Sequence, residues 1–515
     1  MKLLKTHFYL EIGFLTLILL TIPKLLKIIN LWNKIIKILE DLIIIGGGIN
    51  GAGIARDAAG RGLKVTLIEK GDLGAKTSSW STKLIHGGIR YLENYEFRLV
   101  RESLKEREVI KKIAPHITKP MRFVLPHVPS LRSTWLIRLG LALYDRLGGI
   151  TTFPKSRVIS LNKEFENNPI KSNFKIGYEY SDLFVDDSRL VLLNAEDAIN
   201  RGARIFTNTN ISKAVRKKNS WNIYLENGDM LSSKVIINAA GPYALEVLEN
   251  IFGIHSKKKI RHVQGSHIVV KKLYKGDQAY ILQLDDKRII FLIPYLEQYT
   301  LIGTTDNEVK SFENPKITNQ EKNYLINAVN NFIKTKMSEQ DIVWSYSGVR
   351  PLVEDYNKKA SKVTRDYTFE IEEKNAPILT IFGGKLTTYR KLSEHALEKL
   401  SKYLVFSKES WTDKKILPGG SAKSQVKIQL PNKFLERFES AYGSKIIKLN
   451  QYYNELKNGG EIITKDLYEF EIKYLVKEEM AKTSDDILFR RTKLGINFPI
   501  SKIAKLEAIL KKYLI

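Results

Sequence analysis

The sequence predicts an α/β protein with three parts: a Rossmann-like dinucleotide-binding domain, an inserted antiparallel sheet and a C-terminal helical domain. Three observations predict it. The apolar run Asp41-Leu42-Ile43-Ile44-Ile45 enters glycines spaced G-x-G-x-x-G, at Gly46, Gly48 and Gly51, and then an Ala-rich helix from about Ile49 to Ala59. Residues 260–345 read as antiparallel strands inserted into that domain, and Ser345 to Tyr389 returns to it. From Lys391 onward the apolar spacing is helical to the end.

In the first element, Gly46 allows the tight turn, Gly48 lets the backbone approach a pyrophosphate, and Gly51 lets the helix pack on the strand. The N-terminus of that helix offers unpaired N–H groups to the anion. A second strand, Lys64-Val65-Thr66-Leu67-Ile68, ends in Glu69, 21 residues past Gly48, where a carboxylate accepts from ribose hydroxyls. The hydroxyl-rich loop Thr77-Ser78-Ser79-Trp80-Ser81-Thr82 follows and runs into His86-Gly87-Gly88-Ile89-Arg90-Tyr91. A soluble nicotinamide cofactor would not need this loop. A tightly held flavin, with a ribityl-pyrophosphate to solvate, would.

Glu96 to Ile113 places Leu99, Val100, Leu104, Val109 and Ile110 at helical spacing, and Met121 to Pro126 reads as a short strand. Leu131 to Leu147 has an apolar face of Trp135, Leu136, Leu139, Leu143 and Leu147, with Arg132, Arg138 and Arg146 nearby. Such a basic amphipathic helix either packs on the domain or lies on a membrane surface. Gly202 to Pro242 alternates as a β-meander: Arg204–Thr207, Trp221–Leu225, the turn Glu226-Asn227-Gly228-Asp229 and the buried strand Val235–Asn238, closed by Ala239-Ala240-Gly241-Pro242. The inserted strands are His267–Val270, Tyr280–Gln283, Arg288–Pro294 and Thr300–Gly303, with a helix from about Gln320 to Thr335. In the returning segment, Gly383-Gly384 precedes a helix that can aim its N-terminus at the cofactor.

Four separated blocks carry a family resemblance: Thr77–Tyr91, Gly265-Ser266-His267-Ile268-Val269-Val270, Tyr346-Ser347-Gly348-Val349-Arg350-Pro351 and Phe382–Arg390. In this order they resemble the aerobic, FAD-dependent glycerol-3-phosphate dehydrogenases of bacteria, which belong to the D-amino-acid-oxidase-like flavoproteins. The likeness is dense from Asp41 to about Tyr403 and returns between Tyr474 and Gly495. It implies an FAD-binding domain of the glutathione-reductase/D-amino-acid-oxidase type, made discontinuously from 41–259 and 346–400. An inserted substrate-binding sheet domain would occupy 260–345, a C-terminal helical domain 401–515, and residues 1–40 would be an N-terminal extension or membrane-proximal segment. The implied reaction oxidises sn-glycerol 3-phosphate to dihydroxyacetone phosphate, with hydride passed to the flavin and electrons onward to a membrane quinone.

The resemblance also implies roles. Gly46, Gly48, Asn50, Gly51, Glu69, Ser78, Ser79, His86, Gly87, Gly241, Gly383, Gly384, Leu386 and Thr387 would hold FAD, with Val215 giving backbone contact to the adenine. Arg350 and Arg365 match the phosphate clamp, and Arg90, Tyr91, His267 and Lys385 line the pocket near the reacting carbon. Residue chemistry agrees with the need for an anion site. A phosphomonoester is a dianion and calls for several cations, with arginine favoured for bidentate contact. Arg90, Arg350, Arg365 and Lys385 each sit among glycine or hydroxyl neighbours at strand or loop ends. For the base that takes the hydroxyl proton, the candidates are His267 and Lys385, the latter with a pKa lowered by burial among cations. No histidine–carboxylate set has metal-ligand spacing, so no metal is expected.

The chain has 515 residues, 43% hydrophobic and 27% charged, enough for two or three domains with sizeable cores. It has no cysteine, which excludes disulfides, iron–sulfur clusters, cysteine-ligated zinc and thiol nucleophiles. The net charge of +27, largely from lysine, reads either as charge spread over solvated faces or as attraction to an anionic membrane surface, with nucleic acid the weaker functional reading. No contiguous basic run marks a nucleic-acid site. The apolar run Ile12–Ile22 is eleven residues long, too short for a bilayer span of about 20. It is read as an interfacial anchor or as an upstream extension, the latter preferred. The expected location is therefore cytoplasmic and peripheral on the inner face of the membrane. A homodimer is admitted, the sequence being silent on oligomeric state. Three other readings stand beside the dehydrogenase: a glycerol-phosphate oxidase releasing peroxide, an amino-acid oxidase needing only a carboxylate clamp, and an RNA-binding flavoprotein.

Overall fold

A mostly parallel sheet and a large, mostly antiparallel sheet make up the strands of the computed structural model, which describes residues 39–165, 168–286, 288–353, 366–422 and 428–514. Most of the N-terminal extension, and Arg365 of the expected clamp, lie outside the described residues. Strand β1 (Leu39–Ile45), helix α1 (Ile49–Gly60) and strand β2 (Val65–Ile68) open the first sheet. β1 lies between β2 and Met230–Asn238, parallel to both, and Ile378–Phe382 continues the parallel order on the far side. Apolar residues fill both faces of the central strands, as a parallel sheet covered on each side requires. Helix α1 is buried nearly throughout, against Asp187–Asn200 and Tyr389–Leu400. The parallel registers bring Ile45, Ile68, Asn238 and Phe382 to one edge of the sheet. The turns after these strands therefore converge, at the carboxyl edge where open α/β sheets bind ligands.

The second sheet has ten strands and corrects the expected domain boundary. It is not confined to 260–345. Ala279–Gln283 pairs in parallel with Thr118–Pro126, which pairs with Ile176–Val185, and Leu84–Ile85 extends the same edge. The other half joins Ile260–Lys271 to Tyr299–Gly303 and to Ile342–Val353. Residues on both sides of the insertion thus build one sheet. Sequence proximity hid this because its strands are brought together across more than 150 residues.

Helix Phe97–Ile113 begins one residue after the expected start. Helix Thr134–Leu147 packs through Ile137, Leu141 and Tyr144 and leaves Trp135 and Leu139 67% and 59% exposed, so only one of its apolar edges is used. At the C-terminus, helices Asn432–Tyr442, Ile446–Glu455, Glu469–Glu479 and Ile503–Leu514 enclose a separate core of Phe434, Phe438, Leu449, Phe470, Leu475 and Leu506. A two-strand hairpin, Ile462–Thr464 with Leu467–Tyr468, interrupts the helical pattern there.

Candidate active site

A cavity of about 980 Å³ runs from the converging turns of the first sheet to the inner face of the second. At the first end, Gly46 has φ +105°, and a Cβ there would lie 2.6 Å from the Ala239 carbonyl oxygen, so only glycine fits. A Cβ at Gly51 would lie 1.9 Å from the Gly46 oxygen, which is the close strand–helix approach expected of it. Gly48 differs: its backbone is ordinary (φ −75°) and a Cβ would reach only Ser78 Oγ, at 3.1 Å. Its missing side chain opens the cavity and relieves no backbone strain.

Glu69 bridges the turn, its carboxylate accepting from the Gly47 N–H at 2.6 Å and the Gly71 N–H at 2.7 Å. Burial and the nearby Asp72 raise its pKa, and the two N–H groups oppose the rise. Ser78 Oγ accepts from the Ile49 N–H at 3.0 Å, on the first residue of α1. Asn50 donates to the Gly383 carbonyl at 3.3 Å, while its Oδ1 is buried without a hydrogen-bond partner. An FAD fits these residues. The open face at Gly48, the helix start at Ile49, the Glu69 carboxylate and the unsatisfied Asn50 oxygen are the complements of a dinucleotide, and Gly241, Gly383, Gly384, Leu386 and Thr387 also line the cavity.

Four expected cofactor residues do not line the cavity: Gly51, which serves the strand–helix contact, and Ser79, Gly87 and Val215. Ser79 is buried and donates to the Gly74 carbonyl at 2.7 Å, so it braces the loop without lining the cavity. Gly87 is likewise behind the wall: its N–H donates to Tyr144 Oη at 2.8 Å, and Tyr144 donates to Asp182 at 2.7 Å. Asp182 is buried, and burial raises its pKa against the pull of Arg107, 2.9 Å away. Val215 stands on the exposed strand Ile211–Arg216 and does not line the cavity; Asn210 and Ile211 of the same segment do. Val215 lies further along this strand, past the register shift between Ile211 and Lys213.

The far end is cationic. Arg90, Arg288, Arg350 and Lys385 all line it. Gly88 has φ +73°, and a Cβ there would lie 2.3 Å from the Tyr91 ring, so Tyr91 rests on the bare glycine. Lys385 Nζ sits 3.9 Å above that ring, a cation–π contact that fixes the ammonium. Arg350 crosses the second sheet over Gly265, where a Cβ would be 2.4 Å from Nη2; it donates to Thr304 Oγ1 at 3.2 Å and pairs with Asp306 at 3.4 Å. Arg288 is the cation the sequence reading missed, because Asp285-Asp286-Lys287-Arg288 reads as an ordinary polar hairpin tip. It is gripped by Asp286 at 2.6 Å and stacked on Tyr324 at 4.1 Å.

His267 is wholly buried and does not touch the cavity itself. Its Nε2 lies 3.0 Å from Thr82 Oγ1, which does line the cavity; its ring stacks on Tyr346, and its Nδ1 has no hydrogen-bond partner. Gly303 leaves room for the imidazole, since a Cβ would fall 2.1 Å from Cδ2. Burial, reinforced by Arg350 and Lys83, lowers the His267 pKa well below the usual value. His86 is the imidazole that lines the cavity directly.

Comparison with known proteins agrees with this geometry. Residues 41–390 match the model of the family described as FAD dependent oxidoreductase, and residues 410–511 match the C-terminal domain of alpha-glycerophosphate oxidase. The aerobic glycerol-3-phosphate dehydrogenase of Escherichia coli (strain K12) is 46% identical over 475 residues, covering 89% of this chain and 94% of that protein. The D-erythritol 1-phosphate dehydrogenase of Brucella abortus (strain 2308) is 45% identical over 471 residues, covering 88% of this chain and 94% of that protein. Among solved structures, the glycerol-3-phosphate dehydrogenase from Bacillus halodurans complexed with FAD superposes with a TM-score of 0.71 at 24% identity, covering 93% of this chain and 95% of the other.

Proposed function

The chain belongs to the FAD dependent oxidoreductase family, and from that premise we propose that it oxidises sn-glycerol 3-phosphate to dihydroxyacetone phosphate. One observation carries the substrate reading: a single cavity joins the dinucleotide turns to an end lined by Arg90, Arg288, Arg350 and Lys385. FAD, when bound, supplies the acceptor for the hydride leaving the hydroxyl-bearing carbon. The chain's own residues do the rest. Arg350, with Arg365 expected beside it, holds the phosphate dianion, while Lys385 and Arg90 orient the hydroxyl end. As hydride departs, the hydroxyl becomes a protonated carbonyl, a strong acid that even a weak base relieves of its proton. Thr82 Oγ1 takes that proton from the substrate and passes its own to the neutral His267 Nε2 at 3.0 Å.

Electrons then leave for a membrane quinone, and the chain lies peripherally on the inner, anionic face of a cytoplasmic membrane. Among the described residues no helix is long and apolar enough to cross a membrane. Helix Thr134–Leu147 supports the peripheral reading: exposed Trp135, Leu136 and Leu139 adjoin exposed Arg138 and Arg146, with Ile150 97% exposed just beyond.

The test is anaerobic. Glycerol 3-phosphate added to the purified flavoprotein without oxygen should bleach the flavin, and a quinone analogue should restore the colour. D-Erythritol 1-phosphate is run in parallel because a relative 45% identical, against 46% for the glycerol-3-phosphate enzyme, is named for it. Faster bleaching by the tetritol phosphate would replace the substrate proposed here, and bleaching by neither would overturn it.

A further inference from the structure

The C-terminal helical domain contributes no residue to the cavity among those described, yet it grips the loop that forms the cavity's dinucleotide end. Asp72 is the point of contact. It follows Glu69 by three residues and is 4% exposed. Arg490 Nε lies 2.6 Å from Asp72 Oδ2, and Arg491 closes on both carboxylate oxygens, with Nη2 2.8 Å from Oδ1. Arg491 is 1% exposed and also donates to the Glu479 carbonyl at 2.8 Å. Lys482 of the same domain donates to the Thr207 carbonyl at 3.0 Å, beside Thr209, whose N–H bonds the Glu69 carbonyl at 3.0 Å.

The other end of the loop is held through the same segment. Lys493 lies 2.9 Å from Asp186 and donates to the Arg490 carbonyl at 2.7 Å. The neighbouring Asp187 accepts from Ser81 Oγ at 2.7 Å and Lys83 Nζ at 2.8 Å. Between Asp72 and Ser81 lie the cavity-lining Thr77 and Ser78. The loop is thus fixed from outside the cavity at both ends.

We propose that the Arg490–Arg491 pair is a positioning device for FAD: by neutralising buried Asp72 it holds the Glu69–Ser78 loop where the ribose and pyrophosphate must lie. Without the pair, Asp72 would be a buried carboxylate with no counter-charge, three residues from the half-buried Glu69 on one turn. Relief would come from the turn swinging outward to hydrate Asp72, and that takes Glu69 away from the ribose. The C-terminal domain then sets cofactor affinity without touching the cofactor. This holds whichever phosphorylated polyol is the substrate.

The experiment titrates FAD into full-length apoprotein and follows quenching of flavin fluorescence. Arg491→Met should raise the dissociation constant by at least about tenfold. Arg491→Lys should fall between, keeping the charge but losing the fork. Asp72→Asn combined with Arg491→Met, which removes both charges, should restore binding to within about threefold of the parent. The control is Arg189→Met with Glu479→Gln, which removes the other buried domain-to-domain pair (Nη1–Oε2 2.6 Å) without touching the loop, and should leave affinity unchanged. Parent-like affinity in Arg491→Met would overturn the proposal. So would an equal loss in the control pair, which would make the effect one of domain contact in general. Should Arg491→Met not fold, Arg491→Lys decides between the same outcomes.

Discussion

The position of Arg350 can be disturbed without removing it. Gly265 pairs with Gly348 across Ile260–Lys271 and Ile342–Val353, and the Arg350 guanidinium lies over it. In Gly265→Ala the new methyl would sit 2.4 Å from Nη2 and 2.8 Å from Cζ, against an ordinary contact of 3.4 Å or more, so the guanidinium must retreat by about 1 Å. The backbone there has no positive φ, so alanine itself is tolerated and gains about 0.4–1 kcal/mol from the stiffer unfolded chain. Stability should therefore hold while the phosphate contact fails. Losing a charge-assisted hydrogen bond costs about 1.5–3 kcal/mol, roughly 10- to 100-fold in kcat/KM, and a misplacement of about 1 Å can cost as much. Arg350→Ala should lose at least as much. The assay compares dye reduction with glycerol 3-phosphate and with glycerol, alongside melting temperature and flavin content. Both variants should leave the slow oxidation of glycerol nearly unchanged, since it has no phosphate to hold. Equal losses on the two substrates, or a Gly265→Ala enzyme within twofold of the parent on glycerol 3-phosphate, would refute the assignment of Arg350.

Gly48→Leu should yield a folded protein with little bound flavin, because the backbone accepts a side chain and only the cavity is blocked; full flavin content in the purified variant would show that the pyrophosphate lies elsewhere. Thr82→Val and His267→Asn should each lower kcat by roughly 100-fold with little change in KM, measured by anaerobic flavin reduction. If either keeps the parental rate, the relay is not the proton path. The Glu479 carboxyl is held at about 2 against an ordinary 4.5: burial raises it, but Arg189, Lys445 and Arg491 outweigh burial. A folded value below the unfolded one means that its contribution to stability is present above about pH 4.5 and lost as pH falls toward 2; melting temperatures across this window should fall less steeply in Glu479→Gln than in the parent. Trp135→Glu with Leu139→Glu should weaken binding to anionic vesicles by about tenfold while leaving turnover with a soluble dye intact, and sedimentation unchanged from the parent would remove this helix from the membrane face.

Local rules governed what was readable along the chain. The G-x-G-x-x-G spacing, the strand ending in Glu69 and the helix of Phe97–Ile113 are set by contacts a few residues apart, so composition and periodicity reveal them. The cations Arg90, Arg350 and Lys385 stand in family-like blocks, and all three line one cavity. Other features needed the third dimension. Ile176–Val185 is buried on both faces from Gly177 to Leu183, which blurs the alternation that marks a half-buried strand, and it carries Asp182 to the cavity. His267 stands in the right block, but burial leaves it one hydroxyl away from the cavity. Arg491 and Asp72 are 419 residues apart, and no local pattern couples them. Buried charges must find partners wherever the fold supplies them, so the pairing that ties the C-terminal domain to the cofactor loop was decided by tertiary packing alone.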